Sequence, residues 1–587
     1  MHGQCPALHL RPSPFPPVFQ NSDNILMITR RSGVCARQLR QSSGRRYRHG
    51  SLQRRKASSS SPIPATAPSP ASPLASITSE LDKLSPRFDV PAGSIEILRG
   101  PSEFYDALKV SDSVKYAMQY MWAYCSEVEQ DTTREAAHLP VYFICWQDGA
   151  RTGTSFCSAI SYCSEETDNF QIARLHEALQ GNPDLNVSLL TDALRGTREA
   201  PDPSCASLLA SLVRDFGPER VELRVFHTPN LTGIRKALLP KRINEGWGLQ
   251  HMKLYGIDDE IIMSGANLSN DYFTDRQDRY HVLKSEEVTD YFERLYQAVC
   301  KLSYAVIPSK EEKSGFVLEW SESNTGPAPL ADPKGYVASA TKALAPLITP
   351  STSQVIPVKA GDTHIYPLMQ LTPLLKPDTS TELPALTSIL AKLATPPLTG
   401  SRWTFTAGYF NMTPEVRQLL LASNPTSATV IAASPWANGF YGSKGVSGML
   451  PAAYTYLSRK FLDSVSGAGL SDNITVKEWR RGTVNTPGGW TYHAKGFWIT
   501  LPGERNPSIS LVGSSNYTKR SYSLDLEANA LVVTSNEDLK RRLGEEEQWL
   551  QDYATPMTRD DYAKTERRVG LHVRLAMFIV TLVGGAL

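Results

Sequence analysis

A histidine and a lysine separated by one residue, led by an aromatic and followed by an apolar run into a small-residue turn and an asparagine, occur twice in this 587-residue chain. The first copy runs from Trp247 through His251 and Lys253 to Asn267. Residues two apart on a strand project to one face, so His251 and Lys253 are expected to look into the same pocket. Asp258-Asp259 reads as a turn, with Glu260 to Ser264 as the return strand of a hairpin. The small residues before Asn267 would let a phosphate approach the backbone. The second copy places Trp490 and Tyr492 ahead of His493 and Lys495 and ends in Gly513-Ser514-Ser515-Asn516. It departs from the first in one respect: Asp258 completes an H-x-K-x4-D spacing, but the matching position after His493 is Thr500. A lone His-x-Lys is common by chance; its repetition implies that the chain is duplicated.

The elements around the motifs support that reading. Asn186 to Thr191 reads as a strand, followed by a loop carrying Arg195 and Arg198, a helix at Ser207 to Phe216, a strand at Val221 to Phe226, and then the first hairpin. In the second half Ala428 to Ser434 is the strand, followed by a glycine-rich loop to Gly445, a helix near Ala452 to Val465, a strand at Ile474 to Trp479, and the second hairpin. Strands alternating with helices predict an α/β fold with a mixed or largely parallel sheet in each half. Trp403 to Phe410 is an apolar strand, Leu386 to Leu393 and Pro414 to Ala422 are amphipathic helices, Glu287 to Tyr304 is helical, and Asn536 to Tyr553 is a charged helix. Gln147 to Cys157 has neither helical nor strand period, and roughly Ala123 to Cys157 is read as an insertion or a gene-model artefact.

Paired His-x-Lys motifs, each followed by a small-residue turn and Asn, resemble the phospholipase D superfamily. Further stretches, among them Leu190 to Glu199, Phe226 to Leu231, Pro240 to Lys253, Ser264 to Ser269 and Asn438 to Gly445, are similar to the mitochondrial phosphatidyltransferases of that superfamily. The likeness covers roughly residues 171 to 575. It implies two phospholipase D-like α/β repeats packed face to face around one shared active site. It also implies CDP-diacylglycerol and glycerol 3-phosphate as substrates, phosphatidylglycerophosphate and CMP as products, and Asp258 orienting a histidine, usually that of the other half.

The residues themselves reach as far as phosphodiester exchange by two histidines. No Walker A pattern, no G-x-G-x-x-G after a strand and no metal-ligand cluster is present in the sequence, so no cofactor and no metal is expected. One imidazole would serve as nucleophile and the other as acid, then base. The intact first motif favours His251 as the nucleophile. Lys253 and Lys495 would hold non-bridging phosphate oxygens, with Asn267, Asn516 and Ser514 adding hydrogen bonds. Glu527 is a candidate for the carboxylate that the second motif lacks. Arg195 and Arg198, and Arg235, Lys236, Lys241 and Arg242 ahead of the first hairpin, are candidate phosphate holders or ordinary solvated residues. His176, His227 and His281 read as ordinary histidines. A hydrolase of the superfamily, phospholipase or nuclease, and a non-catalytic membrane scaffold are the rival readings.

Residues 1–56 hold eleven Arg and Lys against Asp23 alone, which leaves the remainder net acidic within an overall charge of +2. This composition, rich in Ser and without a long apolar core, suits a mitochondrial transit segment or a basic arm. A net acidic remainder disfavours nucleic acid as a partner. Eight cysteines without a C-x-x-C pair argue against a disulfide framework. The expected organisation is residues 1–56 as the basic arm, 57–79 as a Ser/Pro/Ala linker, 80–307 as the first half with an irregular 111–170, 308–332 as the crossover, 333–571 as the second half and 572–587 as an apolar tail. Leu575 to Leu587 is too short to span a bilayer, and reads either as a last core element or as an interfacial dip. The resemblance puts the protein at the mitochondrial inner membrane surface, without a spanning helix.

Overall fold

A computed structural model describes residues 73–109, 154–158, 172, 175–198, 203–238, 244–350 and 362–582. In chain order the strands are β1 (Phe88–Val90), β2 (Ile95–Leu98), β3 (Thr154–Ser158), β4 (Asn186–Asp192), β5 (Val221–Phe226), β6 (Leu254–Ile257), β7 (Glu260–Ser264), β8 (Arg276–Gln277), β9 (Tyr280–Lys284), β10 (Tyr304–Pro308) and β11 (Phe316–Glu319). The second half continues with β12 (Thr363–Gln370), β13 (Arg402–Ala407), β14 (Ala428–Ala433), β15 (Ile474–Trp479), β16 (Thr491–Tyr492), β17 (Lys495–Thr500), β18 (Ile509–Gly513), β19 (Glu527–Thr534) and β20 (Ala554–Pro556).

Among the described residues these strands form two nine-stranded mixed sheets. Across the first the order is β11-β10-β5-β4-β3-β6-β7-β9-β2, and across the second β20-β15-β14-β13-β17-β18-β19-β12-β1. Matching β10 with β20 aligns the two orders through to β2 and β12, and every neighbouring pair agrees in direction. The trios β3-β4-β5 and β13-β14-β15 are parallel; the remaining pairs are antiparallel. The duplication read from two short motifs thus extends over whole sheets. Helices Cys205–Phe216 and Leu450–Gly467 occupy the same place in the two halves, each crossing over between parallel strands.

One buried apolar cluster draws on both sheets, joining Met252, Leu254, Met263 and Leu283 of the first half to Ile365, Met369, Val512 and Ala530 of the second. Separate clusters lie on the outer face of each sheet. A buried ion pair also ties the halves together. Arg279, beside β9, donates through Nε and Nη2 to Glu546 at 2.9 and 2.8 Å, and its guanidinium lies 3.7 Å over the Trp498 ring. A Cβ at position 496 would fall 1.7 Å from Arg279 Nη1, so glycine is required there. His281, an ordinary histidine by sequence, adds its Nε2 to Glu546 at 3.0 Å.

Several expectations need correction. Thr154–Ser158, which overlaps the end of the stretch that shows no period, is the central strand β3, paired with β4 and β6. A five-residue strand of Thr, Ser, Phe and Cys, paired on both edges, is too short to display alternation. The remainder of the supposed insertion, 123–153, lies outside the described residues. The helix read over Glu287 to Tyr304 ends at Cys300, and Tyr304 begins β10. The crossover contains β11, the edge strand of the first sheet. Helix Pro73–Leu81 begins inside the Ser/Pro/Ala tract, and Ile77 and Leu81 are buried in the second half's outer cluster. With β1 on β12, residues 73–90 therefore pack on the second half. The tail is helical at Leu571–Leu582 but is not a core element, since Leu571, Leu575, Phe578 and Ile579 are exposed. Among the described residues no helix is long and apolar enough to cross a membrane.

Candidate active site

Each histidine segment pairs with the other half. Gln250 bridges Leu526 in parallel, with His251 N donating to Leu526 O at 3.0 Å, and the next residue is Glu527. β16 runs parallel to β8, with His493 N donating to Gln277 O at 2.8 Å, and the next residue is Asp278. A backbone pairing thus delivers a carboxylate beside each imidazole. His251 Nδ1 donates to Glu527 Oε2 at 2.8 Å, and His493 Nδ1 to Asp278 Oδ2 at 2.7 Å. Both carboxylates are fully buried.

The lysines complete the cluster. Lys253 Nζ donates to the carbonyl of His251 at 2.8 Å, and Lys495 Nζ to that of His493 at 3.0 Å. Lys495 also stands 2.9 Å from His493 Nδ1 and 3.5 Å from Asp278, so this carboxylate is shared between ring and ammonium. Glycine at 265 admits that ammonium: a Cβ there would lie 2.3 Å from Lys495 Nζ and 2.9 Å from Asp278 Oδ1. The small residue ahead of Asn267 therefore makes room for a side chain of the opposite half, besides any phosphate. Ser514, at the equivalent place in the second turn, donates from Oγ to Glu527 Oε2 at 2.5 Å.

Burial dominates the electrostatics. It pushes both histidines well below 6.5, aided at His251 by Lys253 and at His493 by Lys495, so both rings rest neutral with Nδ1–H facing a carboxylate. It lowers Lys253 and Lys495 as well. Burial raises Glu527 to about 7 against the pull of Lys253, and raises Asp278 against that of Lys495. The histidines and lysines of the two halves perturb one another, as expected of a single site.

Around His493 the pocket is crowded. The Tyr272 hydroxyl lies 3.2 Å from both ring nitrogens, and Arg276 donates to that hydroxyl at 3.1 Å while its guanidinium sits 4.6 Å over the Tyr272 ring. Tyr409 meets the imidazole edge to face, and Tyr454 stacks on Tyr409. Oδ1 of Asn267 and of Asn516 is buried without a hydrogen-bond partner, two polar atoms left for a ligand or water to satisfy.

The structure thus brings together His251, Lys253, His493, Lys495, Glu527 and Ser514, with Asn267 and Asn516 on the adjoining turns. It does not bring Asp258. That residue is exposed at the tip of the β6-β7 hairpin with φ of 52°. The physical reason is geometric: five residues beyond Lys253, strand β6 has carried the chain to the far end of the hairpin. Asp278 occupies the role instead. Sequence reasoning missed it, although a signal existed: Asp278 follows Asn267 by eleven residues, as Glu527 follows Asn516. Tyr272 and Arg276 carried no such signal.

Arg195 and Arg198 flank the site rather than filling it. Both pair with Glu245, Arg195 Nε at 3.0 Å, and Arg195 is close enough to depress the pKa of His251 and Lys253. Asp192 caps the short helix Ala193–Gly196 that carries Arg195, accepting from Leu194 N and Arg195 N, and takes a third bond from Gln250 N beside His251. Lys241 and Arg242 lie outside the described residues.

No family model matches the chain. A Saccharomyces cerevisiae protein named CDP-diacylglycerol–glycerol-3-phosphate 3-phosphatidyltransferase is 40% identical over 519 residues, covering 86% of this chain and 91% of that protein. One of the same name from Saccharomyces pastorianus is 41% identical over 545 residues, covering 91% and 96%. The Homo sapiens protein of that name, designated mitochondrial, is 30% identical over 524 residues, covering 84% and 83%. Among solved structures, phosphatidylserine synthase of Haemophilus influenzae superposes with a TM-score of 0.59 at 17% identity, over 87% of this chain and 98% of that one, which establishes a common fold.

Proposed function

The chain belongs to the CDP-diacylglycerol–glycerol-3-phosphate 3-phosphatidyltransferase family, and from that premise we propose that it transfers the phosphatidyl group of CDP-diacylglycerol to glycerol 3-phosphate through a histidine-bound intermediate. The observation that carries the reading is the pair of imidazoles, each held through Nδ1 by a buried carboxylate of the opposite half. Such a brace fixes the tautomer, leaves Nε2 for chemistry and stabilises the cation that forms.

His251 Nε2 attacks the phosphatidyl phosphorus, and the bond from phosphorus to the CMP oxygen breaks. His493 donates a proton to that departing phosphate. The anionic diphosphate entering the pocket favours the protonated ring and so loads the acid. The now neutral His493 removes the proton from the glycerol 3-phosphate hydroxyl, whose oxygen attacks phosphorus and releases His251. Lys253 and Lys495, with Asn267 and Asn516, hold the non-bridging oxygens. Arg195 and Arg198, presented by Glu245, are the candidate holders of the acceptor's own phosphate.

The protein works in the mitochondrion at the inner membrane surface, a reading supported by the acid-poor residues 1–56 and by animal relatives named mitochondrial. The test is purified protein with CDP-diacylglycerol in a chelator, with and without glycerol 3-phosphate. Acceptor-dependent release of CMP with formation of phosphatidylglycerophosphate supports the proposal. Release that ignores the acceptor marks a hydrolase, and no release marks a scaffold.

A further inference from the structure

The C-terminal helix, Leu571–Leu582, is seated on one face only. Val573 is buried and the helix packs on Leu450–Gly467, with Arg574 placed 5.0 Å over the Tyr456 ring. Leu571, Leu575, Phe578 and Ile579 follow i, i+4, i+7, i+8 spacing, so they form one stripe, and they are 80%, 58%, 64% and 49% exposed. An apolar stripe of this kind marks a contact surface.

Charge identifies the occupant. From Arg567 to Leu587 there is no acidic residue; Arg567 is paired with Glu478, and Arg568 and Arg574 precede or open the helix. Arg568 and Arg574 are exposed, as are Arg459 and Lys460 on the helix beneath, where Lys460 also stands over Tyr456. Apolar side chains flanked by cations fit an anionic lipid surface, with the stripe among the acyl chains and the guanidinium groups at the phosphates. The twelve described residues of the helix span about 18 Å, and among the described residues no helix is long and apolar enough to cross a membrane; a stripe of this length is suited to lie along a bilayer.

The supporting helix connects this surface to the chemistry. It follows the loop that exposes Val446 and Tyr441 beside Lys444, and it carries Tyr454, which stacks on Tyr409 against His493. We infer that Leu571–Leu582 is an interfacial anchor that lies in an anionic bilayer and holds the active site at the lipid surface. The catalytic part of this inference rests on the proposed transferase reading; the binding part does not.

The experiment compares the full chain with Leu575→Glu/Phe578→Glu and Arg568→Gln/Arg574→Gln. Each protein is sedimented with phosphatidylcholine vesicles and with vesicles containing about one third phosphatidylglycerol, and its activity is measured in detergent micelles holding CDP-diacylglycerol. The apolar pair should weaken binding to anionic vesicles at least about tenfold, since two buried side chains are lost to the bilayer. The arginine pair should weaken binding severalfold and only to anionic vesicles, with a reduced salt dependence. Activity in micelles should stay at the parent level. Vesicle binding by the Leu575→Glu/Phe578→Glu protein equal to the parent's would overturn the anchor, as would a change from oligomer to monomer with lipid binding intact, which would assign the stripe to a second copy. Inactivity of the parent itself in micelles would count against the transferase reading alone, because sedimentation still decides the anchor.

Discussion

His251 is bonded through Nδ1 to Glu527, whose oxygen also accepts from Ser514, and its side chain remains 14% exposed. His493 is bonded through Nδ1 to Asp278, but Tyr272, Arg276 and Tyr409 close around it and its side chain is 6% exposed. The brace is common to both halves and the surroundings are not. A nucleophile needs an open approach along its lone pair, whereas an acid and base needs a fixed orientation against the leaving and entering oxygens. The proposed assignment of His251 as nucleophile and His493 as proton carrier rests on this difference and not on the intact first motif, because that motif depends on Asp258, which stands away from the site.

The largest effect should separate the two histidines. With the lipid phosphate of CDP-diacylglycerol radiolabelled, His251→Ala should lower turnover by roughly four orders of magnitude and leave no protein-bound label. His493→Ala should fall comparably in turnover yet accumulate acid-labile, base-stable label on His251, because CMP departs slowly even without an acid. Label on His493 in the His251→Ala protein would reverse the comparison.

Removing one carboxylate at a time sharpens it. Glu527→Gln and Asp278→Asn should each cost about 10²- to 10⁴-fold in kcat by releasing the ring tautomer. Glu527 is expected to leave its signature on the pH profile. Its folded pKa is raised to about 7, so below that pH it is protonated and no longer supports the imidazolium. kcat/KM should therefore fall as pH drops through about 7, and that limb should be absent in the residual activity of Glu527→Gln. A limb unchanged in Glu527→Gln would assign it to another group.

The two turns offer a smaller contrast. Gly265→Ala forces a methyl against Lys495 and Asp278 and should cost roughly 10- to 100-fold in kcat, while Ser514→Gly removes one hydrogen bond to Glu527 and should cost severalfold. Equal losses would show that the two turns do the same job.

The second half also buries Glu382 near Glu527, and burial raises it to about 8. The folded state then holds a proton that the unfolded chain releases at its ordinary value of 4.5, so this group lowers stability progressively as pH rises from about 4.5 to about 8. Glu382→Gln should flatten the decline of Tm across that window; an unaltered decline would place its cause elsewhere. The smallest effect belongs to Asp258→Asn, which should remain within about twofold of the parent in activity and in Tm, since Asn tolerates its positive φ. A loss above about tenfold would restore Asp258 to the site.

The local pattern of this chain is enough to reveal its duplication, the hairpin after His251, the strands at Val221–Phe226 and Ile474–Trp479, and the two His-Lys pairs, because each depends on near neighbours along the chain. Side chains two apart on an extended segment share a face wherever that segment goes. Which carboxylate meets which histidine depends instead on parallel bridges between residues far apart in sequence, Gln250 with Leu526 and Thr491 with Arg276, and periodicity carries no information about them. The same holds for β3, whose short polar sequence becomes a strand only because β4 and β6 flank it. It holds also for the C-terminal helix, which is equally apolar whether buried or exposed. Sequence alone determined the chemical groups and their repetition, and the packing of two halves decided their partners, because local geometry propagates along the backbone while burial and pairing are set across it.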